Sequence, residues 1–151
     1  MRRRSSARLL VLSPENHILL FHFVFTTGAL AGKSHWATPG GGVEDNESFA
    51  EAATREFAEE IGQQNYSMSE EIARLEFMMQ LPDGESVISD ERYFLVRMDK
   101  VAPSQAAWSA LEMEVMKQHR WWTLEELATT NEIVFPENLL DILKSRVLSV
   151  G

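Results

Sequence analysis

The sequence predicts an α/β (α+β) fold that forms one domain over residues 1–151. Short apolar runs rich in strand-forming residues interleave with segments of helical periodicity. The length of 151 residues suits one domain, and no internal repeat divides the chain. The apolar fraction of 44% and the charged fraction of 25% exclude disordered, collagen-like and coiled-coil chains.

The N-terminal third is predicted to begin with a β-hairpin. Residues 7–12 and 17–25 are apolar runs of strand length, and the Pro-Glu-Asn sequence at 14–16 is typical of the turn between them. Residues 26–33 are rich in Gly and small residues and predict a loop. The Pro-Gly-Gly-Gly sequence at 39–42 is the strongest backbone breaker in the chain.

The best-defined helix is predicted over residues 48–61. Ser48 followed by Glu51 matches a capping box, and Gly62 stands where a helix ends. One face of this helix is apolar, with residues at three- and four-residue spacing: Phe49, Ala50, Ala53, Phe57 and Ile61.

The second half of the chain predicts further strands and helices that follow turn signals or capping boxes. In chain order, these are strands over 74–81, 86–98 and 120–122, a helix over 124–128 that Thr123 and Glu126 cap, and a terminal helix over 137–148.

Charge and composition narrow the class of partner. The chain has 14 Lys+Arg against 23 Asp+Glu, and its net charge of −9 repels nucleic-acid phosphate. We expect no nucleic-acid partner, because the basic cluster predicts only a solvated N-terminal tail: Arg2, Arg3, Arg4 and Arg8. The absence of cysteine excludes disulfides, thiolate nucleophiles and zinc–thiolate sites. No apolar run approaches the ~20 residues of a membrane span, so we expect no membrane partner and a cytoplasmic location.

Two other features resemble functional motifs only weakly. Residues 28–34 are similar to a phosphate-binding loop, but three residues instead of four separate the glycines, and no helical pattern follows. The four histidines lack the spacing of a metal-binding pair. A flexible loop and packed or surface histidines are the preferred interpretations.

The helix over 48–61 carries an unusual concentration of acids. On a helix, Glu56, Glu59 and Glu60 fall within a sector of about 100° beside the apolar face. Crowded carboxylates repel one another, and a bound divalent cation removes that repulsion. Mg²⁺ prefers oxygen ligands, and Arg55 lies four residues before Glu59, where it can brace that carboxylate. The alternative is an acidic face that is merely solvated.

These residues match a family signature. The pattern Gly41-x5-Glu47-x7-Arg55-Glu56-Phe57-x-Glu59-Glu60-x-Gly62 resembles the Nudix box of the Nudix hydrolases. The last position of the box, which is usually a bulky apolar residue, is Gln63. The lead-in at 36–40 and the segment at 120–127 are also similar to those of the family.

The resemblance implies a fold, an activity and a metal site. The fold is a Nudix-type α/β/α sandwich with a central mixed β-sheet, in which the box forms a loop–helix–loop. The activity is metal-dependent hydrolysis of a diphosphate linkage in a nucleoside diphosphate derivative, with Mg²⁺ or Mn²⁺ as cofactor. Glu47 and Arg55 would position the loop and the helix. Carried over by position, the metal ligands are Glu56, Glu59, Glu60 and the carbonyl of Gly40.

We expect Glu112 to complete the site from outside the box, as a metal ligand or general base. Similar sequences carry a glutamate at this distance before Trp121, and Glu56 is the alternative base. In a strand Glu112 and Glu114 would share a face, whereas in a helix they would diverge by about 160°. The catalytic set is therefore Arg55, Glu56, Glu59 and Glu112, and the substrate-binding set is Trp36, Gly41 and Gly42.

The substrate is expected to be a small nucleotide. Nucleoside triphosphates are the first choice, and nucleotide sugars or ADP-ribose are the second. The proline and the tyrosine that follow the box in ADP-ribose and dinucleoside polyphosphate enzymes are absent. A non-catalytic nucleotide-sensing module and a structural protein are the alternatives to an enzyme. The oligomeric state is open, with a homodimer as one option.

Overall fold

The computed structural model describes residues 1–148 of the chain. The described elements, in chain order, are β1 (Arg3–Leu12), β2 (Ile18–Val24), β3 (Ser34–Ala37), β4 (Gly40–Gly42), α1 (Phe49–Glu60), β5 (Ser67–Gln80), β6 (Ser86–Arg97), α2 (Ala110–Val115), β7 (Met116–Trp122), α3 (Leu124–Thr129), β8 (Val134–Phe135), α4 (Leu139–Ile142) and a π-helical segment (Leu143–Val147). No helix within residues 1–148 combines the length and the apolar character needed to cross a membrane.

The strands form one mixed sheet. Its main path runs β5-β6-β1-β2-β3-β8, while β4 pairs with β1 and β7 pairs with β2. β1 and β6 are parallel along the whole of β1, and β3 and β8 are also parallel. The other pairs are antiparallel. This mixed sheet with few helices confirms the predicted fold class.

β1 pairs with β6 along one edge and with two different strands, β4 and β2, along the other edge. Its last residue, Leu12, pairs with Ile18 of β2. Nearer its start, Ser6 pairs with Gly42 and Arg8 with Gly40 of β4. The three glycines of β4 therefore lie beside β1 where β2 has diverged, and α1 lies against the other edge of β4.

The two faces of β1 contribute to two clusters of the core. Ala7, Leu9 and Val11 pack with the apolar face of α1. Leu10 and Leu12 point to the opposite face and pack with side chains of β6, β7 and α4. Because side chains alternate along a strand, one strand supports both clusters. The first cluster presses α1 against the sheet and thereby positions its acidic residues.

The N-terminal arginines are not a solvated tail, and that prediction is wrong. β1 begins at Arg3 and runs parallel to β6. Acidic residues of β5, of β6 and of the turn between them compensate three of the four cations: Arg2 pairs with Glu85, Arg3 with Glu76, and Arg8 with Glu91. The cluster looked solvated in the sequence because its acidic partners lie far along the chain.

Several predicted boundaries also move. β5 begins at Ser67 instead of 74, because its first residues are polar and two register irregularities disrupt their alternation. β7 extends back to Met116 instead of 120, and α2 was not predicted at all. The terminal helix predicted over 137–148 is α-helical over Leu139–Ile142 and π-helical over Leu143–Val147.

Candidate functional site

Three carboxylates meet beside β4. Glu56 and Glu60 come from α1, and Glu112 comes from α2. One carboxylate oxygen of each lies within 4.8 Å of the others. Glu56 and Glu60 are 7% and 3% exposed, and Glu112 is half-buried. Such a group of buried like charges requires a compensating proton or cation.

Local capping sets the register of α1. The Ser48 side chain accepts a hydrogen bond from the Glu51 amide, and the Glu51 carboxylate accepts one from the Ser48 amide. This capping box satisfies two N–H groups that a helix start leaves unpaired. Gly62 follows the helix with φ of +67°, a conformation that favours glycine. Both ends of the helix that presents Glu56 and Glu60 are therefore defined by nearby residues.

The glycines of β4 allow the backbone to approach these carboxylates closely. The Gly40 amide donates a hydrogen bond of 2.7 Å to Glu60 Oε1. A Cβ atom on Gly41 would lie 2.5 Å from Glu56 Oε1. A Cβ atom on Gly40, whose φ is +138°, would overlap the carbonyl oxygen of Ala7. Any side chain at Gly41 would displace the Glu56 carboxylate.

Arg55 ties the loop, β4 and α1 together. Its Nε and Nη2 donate to the two oxygens of Glu47 at 2.8 and 2.9 Å, and Nη2 also donates to the Gly42 carbonyl at 2.8 Å. Its Nη1 donates to Glu56 Oε1 at 2.9 Å and to Glu59 Oε2 at 3.3 Å. Because the planar guanidinium fixes the angles between its donors, these contacts orient Glu56 as well as neutralise it.

Electrostatics differ among the three carboxylates. Burial raises the pKa of Glu56, against the opposing effect of Arg55. Burial, the contact with Glu112 and the charge of Glu56 raise the pKa of Glu60 well above its ordinary value. The pKa of Glu112 is lowered, because its hydrogen bonds with Glu60 and Ser109 outweigh its partial burial. Of the three carboxyls, Glu60 is therefore the one whose ionisation is opposed most strongly by burial and by its neighbours.

The donor set fits a hard divalent cation. Glu56, Glu60 and Glu112 offer three carboxylate oxygens close enough together to share one ion. Carboxylate oxygens are the ligands that Mg²⁺ and Mn²⁺ prefer, and Mg²⁺ keeps several waters that a phosphate can replace. The close approach at Gly41 leaves no room for a side chain over the Glu56 carboxylate. The residues present are therefore compatible with the expected cofactor.

Comparison with known proteins identifies the family. The family model described as NUDIX domain matches residues 2–141. The chain belongs to the Nudix family. This membership confirms the resemblance of the box, and it confirms the prediction of a Nudix pyrophosphohydrolase at the level of the family. No curated protein matches the chain by sequence.

Solved Nudix structures share the fold at low sequence identity. The MutT protein from Methanosarcina mazei Go1 is 22% identical, with a TM-score of 0.64 over 95% of this chain and 91% of that one. A C. elegans Ap4A hydrolase in a binary complex is 16% identical, with a TM-score of 0.68 over 97% and 99%. The NUDIX domain of Shewanella oneidensis NrtR, complexed with ADP ribose, is 15% identical, with a TM-score of 0.66 over 97% and 89%.

The structure brings only part of the predicted Nudix site together. Within residues 1–148, the close group contains Glu56, Glu60 and Glu112, whereas Glu59 lies outside it, in contact with Arg55. The Glu59 side chain is 41% exposed. Gly40 and Gly41 contact the carboxylate group directly, and Gly42 contacts it through Arg55.

Trp36, predicted to bind substrate, lies inside the core. It is 4% exposed, and its ring stacks on His22 at 4.5 Å and meets Trp122 edge-on at 5.2 Å. Its Nε1 donates to Glu132 at 3.2 Å. Both the ring and its polar atom therefore have protein partners, and contact of Trp36 with a substrate stays a prediction.

Sequence reasoning missed the residues that hold Glu112 in place. Trp108 Nε1 donates to the Glu60 carbonyl at 3.0 Å, and the Ser104 amide donates to the Ile61 carbonyl at 2.9 Å. These bonds tie the segment before α2 to the end of α1. The Ser109 and Glu112 pair forms a capping box, a Ser-x-x-Glu pattern that was readable in the sequence.

Acid should selectively weaken the contact between Glu47 and Arg55. Hydrogen bonds from Arg55 and from the Glu44 amide lower the pKa of Glu47 to about 2. A group whose pKa is lower in the folded state stabilises the fold above its unfolded pKa, roughly 4.3, and loses this contribution as the pH falls toward the folded value. We expect Glu47→Gln to lower Tm at pH 7 and this deficit to shrink as the pH falls below about 4.3.

Thermal unfolding followed by circular dichroism at a series of pH values measures this effect. The control is Glu70→Gln, which changes an exposed carboxylate on β5. A Tm deficit of Glu47→Gln that stays constant across the acidic range would contradict the prediction.

Proposed function

We propose that this Nudix protein is a divalent-metal-dependent hydrolase that cleaves the diphosphate linkage of a nucleoside diphosphate derivative. Nucleoside triphosphates are the first choice of substrate, and nucleotide sugars or ADP-ribose are the second. The observation that carries the proposal is the convergence of Glu56, Glu60 and Glu112 on the glycines of β4. Buried carboxylates this close together repel one another, and a bound cation would remove that repulsion.

Mg²⁺ or Mn²⁺ is the proposed cofactor, with Glu56, Glu60 and Glu112 as its ligands. Glu59 and the Gly40 carbonyl are proposed as further ligands on the strength of the Nudix box. When bound, the cation would neutralise phosphate oxygens and lower the pKa of a nearby water. The shape and charge of the site support this assignment, since the ligands are hard oxygens beside an open backbone.

The protein residues supply positioning and proton transfer. Water attacks one phosphorus of the diphosphate, the bridging P–O bond breaks, and a phosphate or nucleotide leaves with the bond electrons. A carboxylate of the site accepts the proton of the attacking water. Glu112 is our first choice, through the oxygen that does not bind the cation, and Glu56 is the alternative. Arg55 fixes the orientation of Glu56, and the backbone at Gly41 and Gly42 lets the phosphates approach.

Ligands named for similar structures support a nucleotide substrate. The ADP ribose bound to the Shewanella domain contains a diphosphate between two sugars, and Ap4A, named for the C. elegans enzyme, contains a longer phosphate chain. A linked phosphate chain attached to a nucleoside is common to both. The small-molecule substrate, the cytoplasmic location and the oligomeric state stay predictions for this chain.

Turnover should depend on a divalent cation. We expect the purified protein to release phosphate, pyrophosphate or a nucleotide from at least one member of a panel of nucleoside triphosphates, nucleotide sugars, ADP-ribose and capped RNA. Chelation with EDTA should lower the rate by at least about 10²-fold, and added Mg²⁺ or Mn²⁺ should restore it.

Product release is measured by chromatography, with Glu60→Gln as the control for contaminating hydrolases. Turnover that survives chelation would contradict metal dependence. Tight nucleotide binding without turnover in saturating Mg²⁺ and Mn²⁺ would favour the nucleotide-sensing alternative. Robust hydrolysis confined to capped RNA would overturn the preference for small substrates.

A further inference from the structure

Arg4 is a half-buried cation without an acidic partner. Within residues 1–148, no carboxylate oxygen lies within the 4.0 Å of an ion pair with Arg4, whereas Arg2, Arg3 and Arg8 each have such a partner. The hydrogen bond of its side chain runs from Nη1 to Ser6 Oγ at 2.9 Å. A charge that is removed from water without a counter-charge is costly, so Arg4 is suited to receive an anion.

The position of Arg4 puts that cation next to the candidate active site. Ser6, two residues along β1, pairs with Gly42 of β4, and side chains two apart share a face of the strand. A Cβ atom on Gly42 would lie 3.5 Å from Arg4 Nη2, so the guanidinium lies beside the open surface of this glycine. The carbonyl of Gly42 accepts from Arg55, which in turn binds Glu56. One strand of glycines therefore separates Arg4 from the carboxylate group.

Arg4 lies near several charged groups, but within residues 1–148 it forms an ion pair with none of them. Burial lowers the pKa of Arg4, and the positive charge of Arg8 acts in the same direction, against the opposing negative charges of Glu91 and Glu56. Arg8 itself is neutralised, because its Nε donates to Glu91 at 3.0 Å. Glu91 also accepts from the Tyr93 hydroxyl at 2.8 Å, so its two oxygens are directed to Arg8 and Tyr93. Arg4 and Arg8 thus lie on the same strand face, and of these two cations only Arg8 has a carboxylate within ion-pair distance.

We propose that Arg4 binds a phosphate group of the substrate beyond the two joined by the cleaved linkage, and that it thereby favours nucleoside triphosphates over ADP-ribose and nucleotide sugars. The assignment rests on the proposed function. The guanidinium fork matches the oxygens of a phosphate in geometry and charge. A nucleoside triphosphate brings a third phosphate, whereas ADP-ribose and nucleotide sugars have two phosphates, both esterified. The third phosphate is the group that needs a counter-charge from outside the carboxylate site.

Substitution of Arg4 should change substrate preference. Arg4→Gln is expected to raise KM for a nucleoside triphosphate by roughly 10- to 100-fold, as loss of a charge-assisted hydrogen bond does. The kcat for that substrate and the KM for ADP-ribose should each stay within about threefold of wild type, because neither reports directly on the third phosphate. Arg4→Lys should give an intermediate KM, since lysine keeps the charge and loses the fork.

The matched control is Arg3→Gln. Arg3 is the preceding residue, its side chain is 49% exposed, and it pairs with Glu76 on β5. We expect this variant to keep wild-type KM values for both substrates. An Arg4→Gln enzyme that matches wild type on the triphosphate, or that weakens equally on both substrates, would overturn the assignment.

A binding measurement separates this proposal from the proposed function. Calorimetry with a methylene-bridged, non-hydrolysable nucleoside triphosphate in Mg²⁺ should show binding to Arg4→Gln at least about tenfold weaker than to wild type. If wild type hydrolyses no substrate yet this difference is present, the proposed function fails and the role of Arg4 stands. Equal binding would overturn the role of Arg4 even in an active enzyme. If Arg4→Gln fails to fold, the same binding measurement is made with Arg4→Lys. An affinity of Arg4→Lys equal to that of wild type would then overturn the role of Arg4.

Discussion

Glu60→Gln is expected to lower kcat by about 10²- to 10³-fold at saturating Mg²⁺, because it removes one charge from the group that would hold the cation. The fold should persist. Glutamine has nearly the same shape, and its amide oxygen can still accept the hydrogen bond from the Gly40 amide. Removing a buried charge beside Glu56 and Glu112 also relieves repulsion, so Tm without metal should equal or exceed that of wild type.

Two measurements test this prediction. Steady-state kinetics across a Mg²⁺ titration give kcat, and thermal unfolding with and without Mg²⁺ reports cation binding independently of turnover. Mg²⁺ should raise the Tm of wild type and raise that of Glu60→Gln much less, because a ligand stabilises the state that binds it. Full activity together with an unchanged Mg²⁺-induced rise in Tm would remove Glu60 from the metal site.

Glu112→Gln is expected to lower kcat by about 10²- to 10³-fold, the range typical for loss of a general base. The substitution is mild for the fold, because glutamine serves as well as glutamate at this position of a capping box. The Ser109 amide can therefore still donate to the side chain at 112, as it does at 2.8 Å in the wild type. Loss of activity with an unchanged Tm would then report on chemistry at the site.

Glu114→Gln is the matched control for Glu112→Gln. Both residues lie on α2, but Glu114 is exposed, and two residues along a helix turn the side chain by about 160°. We expect Glu114→Gln to stay within about twofold of wild-type kcat, since exposed residues away from a site contribute little. Equal and small effects of both substitutions would return the role of general base to Glu56.

The helix that carries the Nudix box could be read from the sequence, because local interactions determine it. The capping box of Ser48 and Glu51, the apolar spacing and the final glycine all act within a few residues of the helix ends. Helical periodicity likewise predicts that Glu56 and Glu60 share a face. The contact of Arg55 with Glu59 spans a single turn, so it was predictable for the same reason.

Tertiary structure decided which carboxylates converge. Glu112 reaches Glu60 because Trp108 binds the Glu60 carbonyl across 48 residues of chain, a contact that no local pattern encodes. Glu59 belongs to the same helix face by periodicity, yet Arg55 holds it outside the close group. Helical spacing places Glu59 and Glu60 in the same sector of α1, and it does not show which of them meets Glu112.

The sequence by itself determined the family, the acidic helix and the interleaved strands and helices, since each depends on residue type and short spacing. Only the tertiary structure decided the role of the N-terminal arginines. Strand β1 pairs in parallel with β6, more than eighty residues later in the chain, and this pairing gives Arg8 its partner Glu91. The same sheet leaves Arg4 unpaired beside Gly42. The sequence gives the number of charged residues, but the partner of each charge depends on which distant strands the fold places side by side.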